Sequence, residues 1–177
     1  MSDQTKKSET LPLKTESRTE SQQFLTFSMK AEVFGISIML VREIIEYGRL
    51  TKVPMAPDHI KGVINLRGQV VPVIDLARYF GLGITQPGKT TCVVILEVTV
   101  DTESEILGIL VDSVDEVRSI PENSIESAPG LGAKVHPEFL KGVGKTGTRF
   151  ILLIDIDKAL DIKKLGKFGS QNESAKK

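Results

Sequence analysis

The chain has 177 residues, 40% of them hydrophobic, and carries 23 Lys and Arg against 23 Asp and Glu. Balanced charge gives no overall field that would attract nucleic acid or an anionic membrane. The N-terminus, MSDQTKKSET, lacks the apolar core of a signal peptide, and no apolar run approaches the roughly 18 residues of a membrane span. We therefore expect a cytoplasmic protein that neither binds nucleic acid nor inserts into a membrane.

The two ends of the chain differ in composition from the middle. Residues 1–22 and 166–177 are mostly polar and charged. Such segments bury too little apolar surface to fold. We predict disordered tails and a folded part over residues 23–165.

Short apolar segments in the folded part alternate with turn signals. This pattern predicts a mainly β protein and favours small barrels or a sandwich over a parallel α/β sheet. The predicted strands lie within residues 24–29, 33–38, 50–53, 62–74, 92–100, 105–111 and 149–156. Pro72 cannot donate to a ladder, so its strand is expected at an edge or a bulge. Short helices are predicted over 75–82 and 155–166.

The sequence repeats one unit. A shift of 80 positions aligns residues 60–76 with 140–156, and a shift of 73 aligns 34–44 with 107–117. The matched pairs include Gly35 with Gly108, Val41 with Val114, Glu43 with Glu116, Gly62 with Gly142, and Asp75 with Asp155. Two copies are too few for a solenoid, so we predict two similar lobes with a boundary near 83–90.

The segment Asn65-Leu66-Arg67-Gly68 joins two strands of the first copy. Gly68 can adopt the positive φ of a tight turn, which predicts a β-hairpin. The second copy has Lys-Thr-Gly-Thr at the matching positions. Residues shared by the copies are expected to serve the lobe, whereas those that differ are candidates for partner binding. A turn arginine can also be merely solvated, so both interpretations of Arg67 stay open at this point.

One motif suggests nucleotide binding. GITQPGKT at 83–90 fits the G-x-x-x-x-G-K-[ST] pattern of phosphate-binding loops. A working loop of this kind follows a strand and opens a helix, whereas here a helix-like segment precedes the motif and a strand-like one follows it. We predict a linker between the two copies and no nucleotide binding.

Residues suited to catalysis or metal binding are scarce. Cys92 is the single cysteine and lies in an apolar run, so we predict a buried, unreactive thiol and no disulfide within the chain. His59 and His136 have no second ligand at metal spacing. Asp75 and Asp155 are expected to cap helices. The sequence predicts no enzyme, no metal and no cofactor.

Three segments carry a family resemblance. FLTFSMKAEVFGISIMLVREIIEY, then KVPMAPDHIKGVINLRGQVVPVIDLARYFGL, and later ILGILVDSVDEV resemble the CheW family of chemotaxis coupling proteins. The resemblance runs from about residue 23 to 160, and its central phrase is far more specific than an eight-residue motif. It implies two interlocked five-stranded SH3-like β-barrels with short helices, one of them C-terminal, in agreement with the repeat.

The resemblance also implies a function. Such proteins are non-enzymatic adaptors that join the cytoplasmic tips of chemoreceptors to the histidine kinase CheA, whose regulatory domain is itself similar. It implies a protein that is monomeric when isolated and recruited to membrane-bound receptor arrays. Two alternatives stay open: a scaffold of another chemosensory system, such as one for twitching motility, and an SH3-like peptide-binding module outside chemosensing.

Partner contacts are carried over from the same resemblance. The candidates are Val41, Glu43, Gly62, Asn65, Leu66, Arg67 and Gly68 in the first lobe, and Val111, Asp112 and Val114 in the second. Structural roles compete with this assignment: Val41 in the core, Gly62 for the backbone, and Glu43 in an internal salt bridge with Arg67. The turn at 98–105, VTVDTESE, is longer than the family pattern.

Overall fold

The structure, a computed structural model, describes residues 20–128 and 135–160. Its strands are β1 (Ser21–Met29), β2 (Glu32–Ser37), β3 (Val41–Glu46), β4 (Ile60–Leu66), β5 (Gln69–Asp75), β6 (Cys92–Val100), β7 (Glu103–Val111), β8 (Ser113–Pro121), β9 (Leu140–Thr146) and β10 (Arg149–Ile154). The α-helical turns are α1 (Leu76–Tyr79) and α2 (Ile156–Ala159), and 3-10 turns lie at Ile38–Leu40, Glu122–Ser124 and Pro137–Phe139.

The strands form two five-stranded sheets. Sheet A has the order β8-β1-β2-β10-β9, and sheet B has the order β3-β6-β7-β5-β4. Neighbours are antiparallel except β2 with β10 and β5 with β7, which are parallel. The mainly β class is confirmed. The sheets are open rather than closed barrels, because β8 and β9 bound sheet A and β3 and β4 bound sheet B.

The two sequence copies exchange strands between the sheets. Sheet A combines β1 and β2 of the first copy with β8, β9 and β10 of the second, and sheet B combines the remaining five. The matched glycines confirm the equivalence, since Gly35 pairs with Leu153 and Gly108 with Val73 across the two parallel junctions. The fold is therefore interlocked, as the resemblance implied.

The predicted lobe boundary near 83–90 does not separate the sheets. This segment joins β5 to β6, and both strands belong to sheet B. The chain instead crosses between sheets at Ile38–Leu40 and again at Asp112. The boundary of the sequence repeat and the boundary of the folded lobe differ because the first two strands of each copy join the sheet that contains the last three strands of the other copy.

The main hydrophobic core lies between the sheets. Phe27 and Phe34 of sheet A and Leu96 and Ile109 of sheet B are fully buried in one cluster. Smaller clusters lie within each sheet, one around Val71, Val73, Val93, Ile95 and Leu110 and the other around Phe24, Ile120, Ile151 and Leu153. Because the main hydrophobic core combines side chains from both sheets, we expect the two lobes to fold as one unit.

Both helices begin at the predicted aspartates. Asp75 Oδ1 accepts a hydrogen bond from the Arg78 backbone N–H, and Asp155 accepts one from that of Lys158. Each aspartate thus satisfies a backbone donor of the first turn. The predicted helix over 75–82 is shorter in the structure because Gly81 has a φ of +78°. The predicted helix at 155–166 is described only as far as residue 160.

Other sequence predictions need local corrections. Residues 50–53 form no strand, and only Thr51 bridges to Val63, before Pro54 ends the extended segment. The edge position predicted for the strand of Pro72 is wrong, because β5 lies inside sheet B between β7 and β4. Its pairing with β7 involves only Val73–Asp75, which follow Pro72. The missing N–H of Pro72 therefore interrupts no pairing with β7. The N-terminal tail prediction overlaps the described part of the chain at Glu20 and at the first two residues of β1. Residues 1–19 and 166–177 of the predicted tails lie outside the described residues.

Candidate partner-binding surface

The turn between β4 and β5 has a left-handed backbone at two successive residues. Arg67 has a φ of +53° and Gly68 a φ of +87°, as a type I′ hairpin turn requires. Asn65 stabilises this turn, since its Oδ1 accepts the Gly68 backbone N–H at 2.9 Å. In the matching turn of the second copy, Gly147 has a φ of +61° and the residue after it, Thr148, is not left-handed. The two hairpins therefore use different turn types.

Arg67 and Glu43 form a two-point ion pair. Arg67 Nη1 donates to Glu43 Oε2 at 2.6 Å, and Nη2 donates to Oε1 at 3.1 Å. The Arg67 side chain is 72% exposed and that of Glu43 is 26% exposed. The hydrogen bonds from Arg67 lower the pKa of Glu43, and the same pairing raises the pKa of Arg67. The salt-bridge interpretation of Glu43 is thus observed in the structure.

This ion pair joins the two edges of sheet B. Glu43 lies on β3 and Arg67 follows β4, and these strands are separated by three others in the sheet. An isolated bridge between Thr51, in the segment that follows β3, and Val63 of β4 brings the same part of the chain against β4. Sheet B therefore curls until its edges meet, although a continuous ladder does not close it.

The remaining candidates of the first lobe have visible structural roles. Val41 is half-buried and packs against the main core, and Leu66 packs against the cluster inside sheet B. A Cβ on Gly62 would lie 2.7 Å from the Thr51 carbonyl oxygen, so the close approach of backbone requires glycine there. Asn65 and the turn itself remain at the surface with Arg67.

The candidates of the second lobe lie where the chain crosses from β7 to β8, and none of them contributes to the Glu43–Arg67 pair. Val111 is fully buried, which leaves its side chain no surface for a partner. Asp112 accepts the Lys30 backbone N–H at 2.8 Å, and its own N–H donates to the Ser28 carbonyl. Val114 is half-buried against the core. These three residues hold the crossover in place.

Exposed apolar residues were missed by the sequence prediction. Met39 is 86% exposed, and Ile44 and Val117 are each more than two-fifths exposed. Ile44 and Val117 are related by the same shift of 73 that relates Glu43 to Glu116, and both lie on edge strands. The signal was present in the repeat, but an apolar residue at a strand position more commonly indicates the core.

The segment 83–90 is not arranged to hold phosphate. Thr85 is buried, and both its backbone N–H and its hydroxyl donate to the Asp75 carboxylate, at 3.0 and 2.7 Å. The segment leads into β6 rather than into a helix. The backbone N–H of Thr85, which a phosphate-binding loop would direct at its ligand, therefore donates to Asp75 inside the protein.

Cys92 is half-buried, and its thiol pKa is raised by burial and by the charge of Glu46. Within residues 20–128 and 135–160, no group of three metal-ligating side chains is present. Over the same ranges, no helix is long and apolar enough to cross a membrane.

The fold and this surface define a duplicated β protein with exchanged strands and an exposed, internally paired arginine turn. A family model described as a CheW-like domain matches residues 23–164. The chemotaxis protein CheW of Klebsiella aerogenes is 38% identical over 142 residues, covering 80% of this chain and 83% of that protein. Protein FrzA of Myxococcus xanthus is 34% identical over 122 residues, with coverages of 69% and 73%.

A solved structure agrees with these relatives. The scaffolding protein TtCheW of Thermoanaerobacter tengcongensis superposes with a TM-score of 0.69 at 34% identity, covering 78% of this chain and 87% of that one. The chain therefore belongs to the CheW-like family.

Proposed function

We propose that this protein is a cytoplasmic adaptor that couples chemoreceptor tips to the histidine kinase CheA in bacterial chemotaxis. The observation that carries the proposal is the family match over residues 23–164. The name of a relative, chemotaxis protein CheW, and that of a neighbour, a scaffolding protein, support the same role. The protein acts by binding and performs no chemistry.

The Glu43–Arg67 pair supplies a contact suited to this role. Arg67 is held by one carboxylate, yet most of its side chain faces solvent. A guanidinium has five N–H donors, and the two donated to Glu43 leave others for a partner's carbonyl or carboxylate oxygens. Prior ordering of the side chain lowers the entropy cost of binding. We infer that Asn65, Arg67 and Gly68 form the centre of one partner-binding face.

Signal transfer through such an adaptor requires only differential affinity. If the receptor and the kinase bind different faces, a change in receptor conformation shifts kinase conformation through the assembled contacts. Each contact can be modest, because an array links many of them and raises the effective concentration of every component. The same linkage recruits the adaptor to membrane-bound receptors.

A second candidate function is a scaffold in another chemosensory system. The resemblance to FrzA of Myxococcus xanthus favours it, at 34% identity over 69% of this chain. The two candidates share the mechanism and differ in the kinase and receptors that are bound.

A capture experiment with the full chain as bait tests these proposals. The extract contains cytoplasm and inner membrane, and retained proteins are identified by mass spectrometry. We expect a CheA kinase and receptor cytoplasmic fragments, with the direct partner of the Arg67 face reduced when the bait carries Arg67→Ala. A kinase of a different chemosensory operon selects the second candidate. Retention of neither a kinase nor a receptor contradicts both candidates.

A further inference from the structure

A surface pocket lies at the end of the β4–β5 hairpin opposite the Arg67 turn. It has a volume of about 250 Å³ and is formed between the segment 52–61 and the residues that follow β5. The residues that matter for its chemistry are Lys52, Val53, Ile60, Lys61, Arg78 and Ile84. Lys61 and Leu66 are five residues apart on β4, or about 17 Å at the usual rise of a strand. The pocket is therefore separate from the face around Arg67.

The rim of the pocket carries uncompensated positive charge. Arg78 pairs with Asp58 at 3.2 Å. Among the described residues, neither Lys52 nor Lys61 has an ion pair or a side-chain hydrogen bond. The other acidic residue of the pocket, Asp75, is 2% exposed and directs its carboxylate to Thr85 and the backbone of Arg78. Two ammonium groups are thus available to a ligand.

Part of the pocket lining is apolar, beside the charged residues. Val53 lines it from the segment before β4, the buried Ile60 from the start of β4, and Ile84 from the segment after β5. Ile84 is 46% exposed. The Lys30 Nζ donates a hydrogen bond to the Ile84 backbone carbonyl oxygen at 2.6 Å, which holds the backbone of this residue. An ordered, exposed isoleucine beside free lysines can bury apolar surface on binding without the cost of ordering a loop.

We propose that this pocket binds an acidic segment of a partner protein in which an apolar side chain lies beside a carboxylate. The apolar side chain covers Ile84 and Val53, and the carboxylate lies between Lys52 and Lys61. This charge arrangement fits a peptide better than a purely apolar ligand, because the lysines would otherwise lose hydration without gaining a partner. The proposal uses residues outside the Arg67 face and does not rest on the function proposed above.

The test is a titration of the isotope-labelled full chain, followed by amide chemical shifts. The probe is a capped tetrapeptide of alternating leucine and glutamate, and its matched control has glutamine in place of glutamate. We expect saturable shifts around Val53, Lys61 and Ile84, weakened by sodium chloride. The doubly substituted chain Lys52→Gln, Lys61→Gln should bind the acidic probe about fivefold more weakly.

A matched variant controls for general charge effects. Lys141 is the repeat counterpart of Lys61 and is exposed, so Lys141→Gln should bind the probe like the unaltered chain. Unchanged amide shifts elsewhere in each variant show that the fold is kept. Equal binding of the glutamine probe, or undiminished binding by the double variant, would overturn the proposal. So would shifts that cluster away from the pocket, or no saturable shift.

Discussion

Arg67 combines a costly backbone conformation with an exposed side chain. Its φ of +53° is uncommon for a residue other than glycine, and the second copy has Gly147 at the matching position. The arginine gains two hydrogen bonds to Glu43, which a glycine could not make. An exposed side chain on a residue with a strained backbone conformation is readily explained by a role at the surface.

Replacing Arg67 should separate binding from folding. We expect Arg67→Ala to retain cooperative unfolding and to bind the receptor or kinase about fivefold or more weakly, since interface arginines often dominate affinity. Isothermal titration with each partner measures the effect. Arg149→Ala is the control, because Arg149 is exposed at the second hairpin. Wild-type affinity for both partners in Arg67→Ala would defeat the proposed role.

The same pair should be detectable in the free protein. A double-mutant cycle of Arg67→Ala and Glu43→Ala, measured by urea unfolding, should show coupling between the two residues. Additive effects would show that the ion pair contributes nothing measurable to folding, as many exposed pairs do.

The pairing also predicts how Glu43 titrates. Its pKa is lowered by Arg67, so the pair stabilises the fold at neutral pH and loses this contribution as pH falls below about 4 and through the lowered pKa. A carbon-detected NMR titration of the Glu43 carboxyl should show the lowered value. In Arg67→Ala the pKa of Glu43 should rise, and an unchanged value would contradict the assigned cause.

Two glycines mark where each edge strand meets the segment that bridges to it. A Cβ on Gly62 would lie 2.7 Å from the Thr51 carbonyl oxygen, and one on Gly142 would lie 2.6 Å from that of Glu126. The same close approach of two backbone segments thus occurs at β4 in the first copy and at β9 in the second. We expect Gly62→Ala and Gly142→Ala each to destabilise the protein by about 1–3 kcal/mol, because backbone must move.

Urea unfolding tests these two variants against Gly88→Ala. A Cβ on Gly88 meets nothing within 4 Å, so this substitution should be tolerated. If Gly62→Ala were equally harmless while weakening partner binding, Gly62 would belong to the binding surface instead of the backbone junction.

The segment 83–90 yields a negative prediction. Thr85 is held by Asp75 and a strand follows the motif, so no saturable ATP or GTP binding is expected at millimolar nucleotide. Thermal unfolding with and without nucleotide measures this, and Lys89→Ala should behave as the unaltered chain. A nucleotide-dependent shift that Lys89→Ala abolishes would show that the motif binds phosphate.

The exchange of strands makes the two copies dependent on each other. Each sheet takes strands from both copies, and the main core combines side chains from both sheets. A chain cut between residues 86 and 87 should give two fragments that are unfolded alone and form the native structure when mixed. Amide NMR spectra of each fragment and of the mixture test this. A folded fragment 1–86 would contradict the dependence.

Features that depend on neighbouring residues could be predicted from the sequence. Seven of the ten strands, the hairpin at Asn65–Gly68 and the capping roles of Asp75 and Asp155 follow from signals within a few residues, whereas β3, β8 and β9 were not among the predicted strands. The repeat was visible because both copies keep the same glycines and aspartates. The family resemblance supplied the interlocked arrangement and the candidate surface, including Glu43 and Arg67.

Pairing between distant residues could not be obtained in the same way. Apolar alternation indicates that a segment is a strand, but it does not name the neighbouring strand, because many pairings bury the same side chains. The exchange of β1 and β2 for β6 and β7 depends on which arrangement fills the shared core. The Glu43–Arg67 contact depends on the curl of sheet B, which brings its opposite edges together in space although three strands separate them in the sheet.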